Sequence, residues 1–409
     1  MSSYSHQGNE LIVARRSSYM HFPNRRQDSE EVYYRRPINR REFFHERPSN
    51  EEIDSYFYFD KVQANKSQEF GRLDPLWTCT YDANHSTVAE WEEERNRNKL
   101  VFLHMWRSAG ATIRALLRGY AYYCGAGIAT VNHCTDLGRE YMEGPDLWAN
   151  ARRGPDALRF CVLDKAENRT KGRVYHERIS TAILQDNKID ILAGHLPLGC
   201  DEFWDDDNGQ HVNTQFVVFL REPLEKFVSK VMFIHQHRNL TVDEAVVLVN
   251  ETVNNATFQG KKHRESYSNY LITPEQHSWI QREQVDWTFE RRVNISLSNL
   301  SNKRVLVGIV ERLPETMALL QYILDRNQEV TSLFRFFSLN EKVSDIMRLT
   351  TKAKTEAVTR LIRNDSVMLA AMDEFLKFDH QIYDWGLQIH NRQVESLYRK
   401  GWAFDNVVV

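Results

Sequence analysis

The sequence predicts an α/β fold in which a mainly parallel β-sheet is covered by helices on both faces. Short, almost wholly apolar runs typical of buried strands recur along the chain, and turn residues and then apolar residues at helical spacing follow several of them. Strands that alternate with helices in this way favour a parallel sheet. The chain has 409 residues and is 42% hydrophobic, which is enough for one large domain with extensions or for two ordinary domains.

The first strand–helix unit lies in residues 99–117. The apolar run at 100–104 predicts a strand, and the small residues at 108–112 predict a tight turn. The helix that follows has an apolar stripe formed by Ile113, Leu116, Leu117 and Tyr120. Strand, small-residue loop and helix form a phosphate-binding unit, because unpaired N–H groups at a helix N-terminus attract anions.

The second unit lies in residues 214–234. The apolar run at 215–220 predicts another strand, and Arg221 follows it at its carboxyl end, where open α/β sheets bind ligands. Pro223 suits the first turn of a helix, since its missing N–H would be unpaired there. The apolar stripe of this helix consists of Leu224, Phe227, Val228, Val231 and Met232.

The remaining elements follow from the same patterns. Further strands are predicted at residues 158–163, 189–193 and 304–310. Further helices are predicted at residues 174–186, 241–249, 315–324 and from 341 to about 385. Thr241 followed by Glu244 has the spacing of an N-terminal capping box.

Three regions are expected outside or around the main domain. Residues 1–95 form a polar, arginine-rich N-terminal extension that is partly disordered, because it has too little apolar surface to offset the entropy of ordering. A solvated tail is favoured there over a targeting signal or a polyanion tether. Residues 96–390 form the main domain, with an irregular, polar surface insertion at 251–303 near the acceptor site. Residues 391–409 form a C-terminal tail.

Net charge and cysteine spacing exclude two classes of function. A formal net charge of −3 argues against a basic protein that coats nucleic acid, so an anion site must be local. The five cysteines show no ligand spacing for zinc, and no metal site is predicted. A Cys124–Cys134 bridge in an oxidising compartment and five small buried thiols remain equal alternatives.

Each unit alone has an ordinary structural explanation. The first loop has a cation at Arg107 and a hydroxyl at Thr112, but it lacks the Gly-Lys-Ser/Thr ending of a Walker A loop, so a turn without a ligand is an even alternative. In the second unit, Arg221 and Ser229 together suit a separate phosphate. A surface ion pair at the start of the helix is the competing interpretation of Arg221.

Taken together, the two motifs resemble those of sulfotransferases that use 3′-phosphoadenosine-5′-phosphosulfate (PAPS). Residues 104–112 read HMWRSAGAT, where the heparan sulfate 2-O- and 6-O-sulfotransferase branch has approximately HxxKTGGTT. Residues 220–229 read LREPLEKFVS, where that branch has roughly LRDPxxRxxS. The resemblance spans about residues 99–385 and implies a P-loop-NTPase-like sulfotransferase fold.

The resemblance assigns the two phosphate sites of the donor. Arg221 and Ser229 would hold the 3′-phosphate. The 5′-phosphosulfate would be held by Arg107, Ser108, Ala109, Gly110, Ala111 and Thr112.

It also implies a reaction, which is transfer of a sulfuryl group to a hydroxyl without a metal. His195, in a Gly-His step similar to one in that branch, would be the general base, since imidazole titrates near neutral pH. Arg107 would stabilise charge on the leaving oxygen, although the family has lysine there. His104 is a rival base that we expect to orient the loop instead. Lys342 and Ser344 match late donor contacts only loosely.

The sequence determines the acceptor molecule and the cellular compartment less closely than the donor site. The resemblance favours a polysaccharide hydroxyl in the Golgi lumen or secretory pathway. An excess of glycosylation sequons fits that compartment; they begin at Asn65, Asn84, Asn168, Asn239, Asn250, Asn255, Asn294, Asn299 and Asn364. No apolar segment is long enough for a membrane anchor, so we expect an anchor that this sequence does not reveal. Two alternatives remain: a P-loop kinase, and a non-catalytic glycan- or nucleotide-binding protein with this fold.

Overall fold

Six strands of the described residues form one sheet in a computed structural model of the chain. They are β1 (Asn98–Leu103), β2 (Gly127–Val131), β3 (Met142–Glu143), β4 (Ile189–Gly194), β5 (Asn213–Leu220) and β6 (Val305–Ile309). Their order is β3-β2-β4-β1-β5-β6, and all neighbours are parallel except β3, which runs antiparallel to β2. The structure describes residues 73, 75–76, 93, 97–124, 126–131, 142–143, 189–194, 196, 198–199, 212–258, 266–273, 276, 289–302, 304–325, 333–334 and 346–402.

Eight helices surround the sheet in the described part of the chain. They are α1 (Gly110–Cys124), α2 (Pro223–Ile234), α3 (Val242–Phe258), α4 (Ser268–Leu271), α5 (Phe289–Asn302), α6 (Leu313–Leu324), α7 (Ile346–Asn364) and α8 (Ser366–Arg399). The parallel sheet and its helices confirm the predicted α/β class. The predicted capping box is also present, because the Glu244 N–H donates to Thr241 Oγ1 at 3.3 Å and the Thr241 N–H donates to the Glu244 carboxylate at 2.7 Å.

Each face of the sheet has its own apolar core. One core packs alternate residues of the strands, such as Phe102 and Phe219, against α1 and α6. The other packs the intervening residues, such as Val101 and Val218, against α4, α5 and α8. Burial of both faces explains why the strands are continuous apolar runs rather than alternating ones.

Four predicted strands and most of the predicted helices lie where expected, but β2 and β3 were not predicted. The strands predicted at 100–104, 189–193, 215–220 and 304–310 correspond to β1, β4, β5 and β6. β2 has the sequence GIATV, whose small residues give a weak apolar signal. The strand at 158–163 and the helix at 174–186 lie outside the described residues.

The prediction of an irregular insertion at 251–303 is wrong for its described residues. Residues 251–258 extend α3, and 289–302 form α5. α5 is polar overall, yet it buries Val293, Leu297 and Leu300 in the sheet core. A polar composition therefore hid an amphipathic helix with a narrow apolar face.

The prediction of a tail that begins at residue 391 is also wrong. α8 continues to Arg399 and buries Val394 and Leu397. At the other end of the sequence, Leu73 and Leu76 belong to the same core, so the N-terminal region contributes to the domain before residue 96. Both predictions failed for the same reason. A few apolar side chains among polar neighbours give a weak local signal, and they become buried only when the core is assembled.

A buried ion pair joins three strands at the amino end of the sheet. Lys99 Nζ of β1 lies 3.0 Å from Asp190 Oδ1 of β4, and both side chains are almost fully buried. The second oxygen of Asp190 accepts from the Gly127 N–H at the start of β2, at 2.9 Å. Because a buried carboxylate needs several partners, this pair favours one alignment of β1, β2 and β4.

The strand order creates a crevice between β1 and β5. The chain leaves β1 through α1 towards β2 on one side of the sheet, and it leaves β5 towards β6 on the other. Ligands bind in open α/β sheets at the carboxyl ends of neighbouring strands whose connections diverge in this way. The loops after Leu103 and Leu220, which carry the two predicted motifs, therefore flank one crevice.

His390 of α8 is fully buried against β6 and α6. One ring nitrogen lies 2.8 Å from the Val307 carbonyl oxygen, and the other lies 3.3 Å from Glu315 Oε2. Burial is the largest influence and lowers the pKa of His390, although both hydrogen bonds act in the opposite direction. The folded protein therefore takes up a proton at His390 less readily than the unfolded chain does.

We predict that His390 makes the fold less stable as the pH falls below about 6.5, the pKa of an unperturbed histidine. Below that pH the unfolded state binds a proton that the folded state resists, so the free energy of unfolding decreases; above it this contribution is constant. Urea unfolding at pH 7.5 and 5.5 should show a smaller pH effect in His390→Gln than in the wild type. His380→Gln, on the same helix but partly exposed, is the control. An identical pH effect in His390→Gln and wild type would contradict the prediction.

Candidate anion-binding site

The loop after β1 has an unusual backbone. Arg107 and Ala109 have φ angles of 62° and 58°, and Ser108 between them is not in the positive-φ region. Non-glycine residues adopt this region rarely, at a cost of roughly 1–2 kcal/mol each. Alternation of this kind turns successive N–H groups towards one concave side and is typical of anion-binding loops. The strain is concentrated at the predicted phosphate loop, which is where functional strain is usually found.

α1 begins directly after this loop, at Gly110. The first N–H groups of a helix have no intrahelical partner, and the helix dipole places positive charge at this end. Gly110 is required because a Cβ atom there would lie 1.5 Å from His104 Cδ2. The His104 ring is buried, stacks near Phe102 with centroids 6.1 Å apart, and covers the start of α1. The structure thus places His104 as a residue that shapes the loop, as expected.

The start of α2 forms the other side of the crevice. Glu222 is the N-cap, and its carboxylate accepts from the Leu224 and Glu225 N–H groups at 3.2 and 2.8 Å. Pro223 occupies the first turn, as predicted. The Arg-Glu-Pro sequence therefore begins α2 and places Arg221 at the carboxyl end of β5.

The two motifs meet directly across the crevice. Arg107 Nε donates to Ser229 Oγ at 3.0 Å. One terminal nitrogen of Arg221 lies 3.5 Å from the Arg107 carbonyl oxygen. Ser229 is buried on α2, whereas both arginines are partly exposed. Two guanidinium groups and the N-terminus of α1 thus converge on one partly open site.

A buried polar network supports the Arg221 backbone. The Tyr267 hydroxyl accepts from the Arg221 N–H at 3.0 Å and donates to the carbonyl oxygen of the same residue. Asp379 of α8 accepts from the Tyr267 N–H at 3.0 Å and pairs with Lys226 Nζ at 3.0 Å. Lys226 also lies over the Tyr267 ring, 3.5 Å from its centroid. Burial, followed by the charge of Asp379, raises the pKa of Tyr267 well above its usual value, so its hydroxyl keeps its proton.

Three carboxylates lie near Arg221 and oppose the positive charge of the site. Glu225 lies 3.4 Å from the Arg221 guanidinium. Arg363 of α7 contacts Glu222 at 3.2 Å and Glu225 at 3.7 Å, so these carboxylates are shared with a further arginine. Glu311, after β6, accepts from the Glu222 N–H at 3.0 Å. Burial raises the pKa of Glu311, which therefore holds its negative charge less readily than an exposed glutamate.

The structure brings together nearly all the predicted donor-binding residues. Residues 107–112 form the loop and the first turn of α1, and Arg221 and Ser229 face them. Ser108 is buried and Thr112 is partly exposed, while Ala111 is described only in its backbone. His195 lies outside the described residues, but its neighbour Gly194 ends β4 and is paired with Leu103 at the end of β1.

Lys342 and Ser344 also lie outside the described residues, as do four of the five cysteines: Cys79, Cys134, Cys161 and Cys200. Cys124 is disulfide-bonded. This excludes the alternative that all five cysteines are free thiols, while the predicted partner, Cys134, stays a prediction. Within the described ranges, no group of three or more His, Cys, Asp and Glu residues is arranged to hold a metal ion.

Sequence reasoning missed three residues of this site. Tyr267 and Asp379 lie far from the motifs in sequence, and no local pattern connects them with Arg221. Phe233 occupies the last turn of α2 and was not part of the predicted apolar stripe; 39% of its surface is exposed and its ring contacts Arg107. Its helical spacing from Ser229, four residues earlier, is the one sequence signal that could have placed it near the site.

The site defines the chain as an α/β protein with an arginine-lined crevice at the carboxyl ends of two parallel strands. Neither a protein-family model nor a curated protein matches the sequence. The arrangement of the side chains therefore carries the functional argument.

We predict that Gly110→Ala destabilises the fold by about 1–3 kcal/mol, the usual cost of overpacking a filled site. The new methyl group would collide with the His104 ring, as the 1.5 Å approach indicates. Urea unfolding of Gly110→Ala, His104→Ala and the double variant measures the coupling. We expect Gly110→Ala to cost much less when His104 is already alanine. Additive effects would show that the ring does not require the glycine.

Proposed function

We propose that this protein is a sulfotransferase that moves a sulfuryl group from PAPS to a hydroxyl group, preferably on a polysaccharide. The observation that carries the proposal is the 3.0 Å contact between Arg107 Nε and Ser229 Oγ. It joins the two motifs that resemble the donor-binding elements of the carbohydrate sulfotransferases. The proposed fold family, P-loop-NTPase-like with a sulfotransferase arrangement, agrees with the parallel sheet and its crevice.

The chemistry of the residues fits a donor with two separated phosphates. The strained loop and the N-terminus of α1 suit one anion, since their N–H groups are preorganised. Arg221 and Ser229 suit a second one, because guanidinium and hydroxyl groups bind phosphate oxygens well.

The bound donor would supply an activated sulfuryl group. In the proposed reaction the acceptor oxygen forms a bond to sulfur while the bond between sulfur and the bridging oxygen breaks. Arg107 and the loop N–H groups would stabilise the charge that develops on that oxygen. His195 would accept the proton of the acceptor hydroxyl, a role that suits imidazole near neutral pH. No residue in this scheme requires a metal.

Binding of adenosine 3′,5′-bisphosphate, the product nucleotide, tests the donor site. We predict that calorimetry detects its binding and that ATP binds more weakly. Arg221→Ala should weaken binding about 10- to 100-fold, because a hydrogen bond to a charged group contributes roughly 1.5–3 kcal/mol. Ser229→Ala should weaken it less, since it removes one hydroxyl.

Arg399→Ala is the matched control, because Arg399 is exposed at the far end of α8 and pairs with Glu395 alone among the described ion pairs. Tight ATP binding without affinity for the bisphosphate would overturn the proposal and favour the P-loop kinase.

The general base is tested separately. His195→Ala should abolish transfer of radiolabelled sulfate to mixed polysaccharides and leave bisphosphate binding largely intact, because the imidazole acts on the acceptor and not on the nucleotide. Retained transfer by this variant would remove His195 from the mechanism and direct attention to another base.

A non-catalytic glycan- or nucleotide-binding protein is the second candidate, and Arg107 favours it. Arginine stands where the resembling enzymes have lysine, and its planar group needs different room. Bisphosphate binding with no labelled product across a broad polysaccharide panel would support this candidate.

We place the protein in the lumen of the Golgi or the secretory pathway. The disulfide at Cys124 is consistent with an oxidising compartment. Asn239, Asn255 and Asn364 are exposed and therefore accessible to glycosylation, whereas Asn299 is buried and its amide donates to the Leu271 carbonyl at 2.7 Å. No described helix has the length and apolarity needed to cross a membrane.

A further inference from the structure

The Arg107 guanidinium is held at two places by one helix face. Its Nε donates to Ser229 Oγ at 3.0 Å, and its central carbon lies 4.8 Å from the centre of the Phe233 ring. Ser229 and Phe233 are four residues apart on α2 and so lie on the same face, one turn from each other. The hydroxyl fixes one edge of the guanidinium, and the guanidinium carbon lies over the ring.

Phe233 is in turn supported by the phosphate loop. The Trp106 ring packs edge-on against it, with centroids 6.4 Å apart and planes at 78°. Trp106 directly precedes Arg107, so the loop provides both the cation and the ring that braces its aromatic partner. Phe233 remains 39% exposed, more than a purely core-filling residue of this helix would be.

This arrangement suits arginine and not lysine. A guanidinium is planar and weakly hydrated, and it stacks on an aromatic face while its edges still donate hydrogen bonds. An ammonium group is compact and strongly hydrated, and it has no plane to align. The contacts with Ser229 and Phe233 therefore suit Arg107, the residue at which this chain departs from the sulfotransferase motif.

We propose that Phe233 is a positioning residue that orients Arg107 for catalysis and so allows an arginine to replace the lysine. This inference rests on the proposed function. With Nε on Ser229 and its central carbon over the Phe233 ring, the guanidinium is held in one place, from which its charge would stabilise the leaving oxygen. Trp106 restricts the ring, and thereby the guanidinium.

Steady-state transfer from PAPS to mixed polysaccharides tests the inference. Phe233→Leu should lower kcat about tenfold, within the range of a cation–π contact, and change the KM for PAPS much less. Phe233→Tyr should retain activity, because it keeps the aromatic face. Phe227→Leu is the matched control on the same helix, since Phe227 packs against Phe375 with centroids 5.2 Å apart.

The effect of Phe233→Leu on kcat should also depend on having arginine at position 107. In an Arg107→Lys background, Phe233→Leu should change kcat less than twofold, because an ammonium group does not use the ring as a planar support. Equal effects of Phe233→Leu with arginine and with lysine would overturn the inference and indicate a general packing role.

An NMR measurement, which needs no enzymatic turnover, checks the contact between Arg107 and Phe233 itself. In protein labelled with ¹⁵N-arginine, the Nε–H resonance that disappears in Arg107→Lys identifies Arg107. Its position should move in Phe233→Leu, through loss of the ring current, and stay nearly unchanged in Phe227→Leu. If that resonance moves while kcat is unaffected, the contact exists but does not position a catalytic group, and the inference fails.

If the wild-type protein transfers no sulfate, the proposed function is contradicted. If the wild-type protein transfers sulfate and Phe233→Leu transfers it equally well, this inference alone is contradicted.

Discussion

The parallel pairing of β1 with β5 is the constraint on which the candidate site depends. The two strands run side by side from Asn98 to Leu103, and β5 then continues two residues beyond the end of β1. Because their connections diverge, the loop after β1 and the start of α2 open onto the same crevice. The contacts between Arg107 and Ser229 and between Arg221 and the Arg107 carbonyl follow from that adjacency. Without it, the two motifs would be unrelated helix starts.

The Lys226–Asp379 pair has a different role from Arg107 and Arg221 beside it. Removing one partner of a buried pair typically costs about 3–5 kcal/mol, although the pair as a whole adds little stability over apolar residues of the same size. Its contribution here is positional. Asp379 also accepts from the Tyr267 N–H, and the Tyr267 hydroxyl bonds both backbone groups of Arg221. α8 therefore fixes where Arg221 lies, although it contains no residue of either motif.

The phosphate loop combines backbone strain with tight support. Arg107 and Ala109 adopt a backbone region that glycine would occupy at lower cost, and Ala109 stands where the resembling enzymes have glycine. The loop is held by His104 against Gly110 on one side and by Ser229 and Phe233 on the other. A strained loop persists only where its surroundings determine it in this way. The same supports that stabilise the loop also leave the Arg107 side chain few orientations, which is the property a catalytic cation needs.

The sequence by itself determined the α/β class, four of the six strands described, the helix start at Pro223, and the strand–loop–helix order around residues 99–117. These features are local: apolar runs, turn residues and capping positions depend on neighbours within a few residues. Tertiary structure decided what those patterns could not. β2, the helix at 289–302 and the buried end of α8 have weak local signals and gain their places from the core. Tyr267 bonds Arg221 across 46 residues of chain, Phe233 contacts Arg107, and Asp379 pairs with Lys226 across 153 residues. Only the packed sheet and helices determine which distant side chains meet.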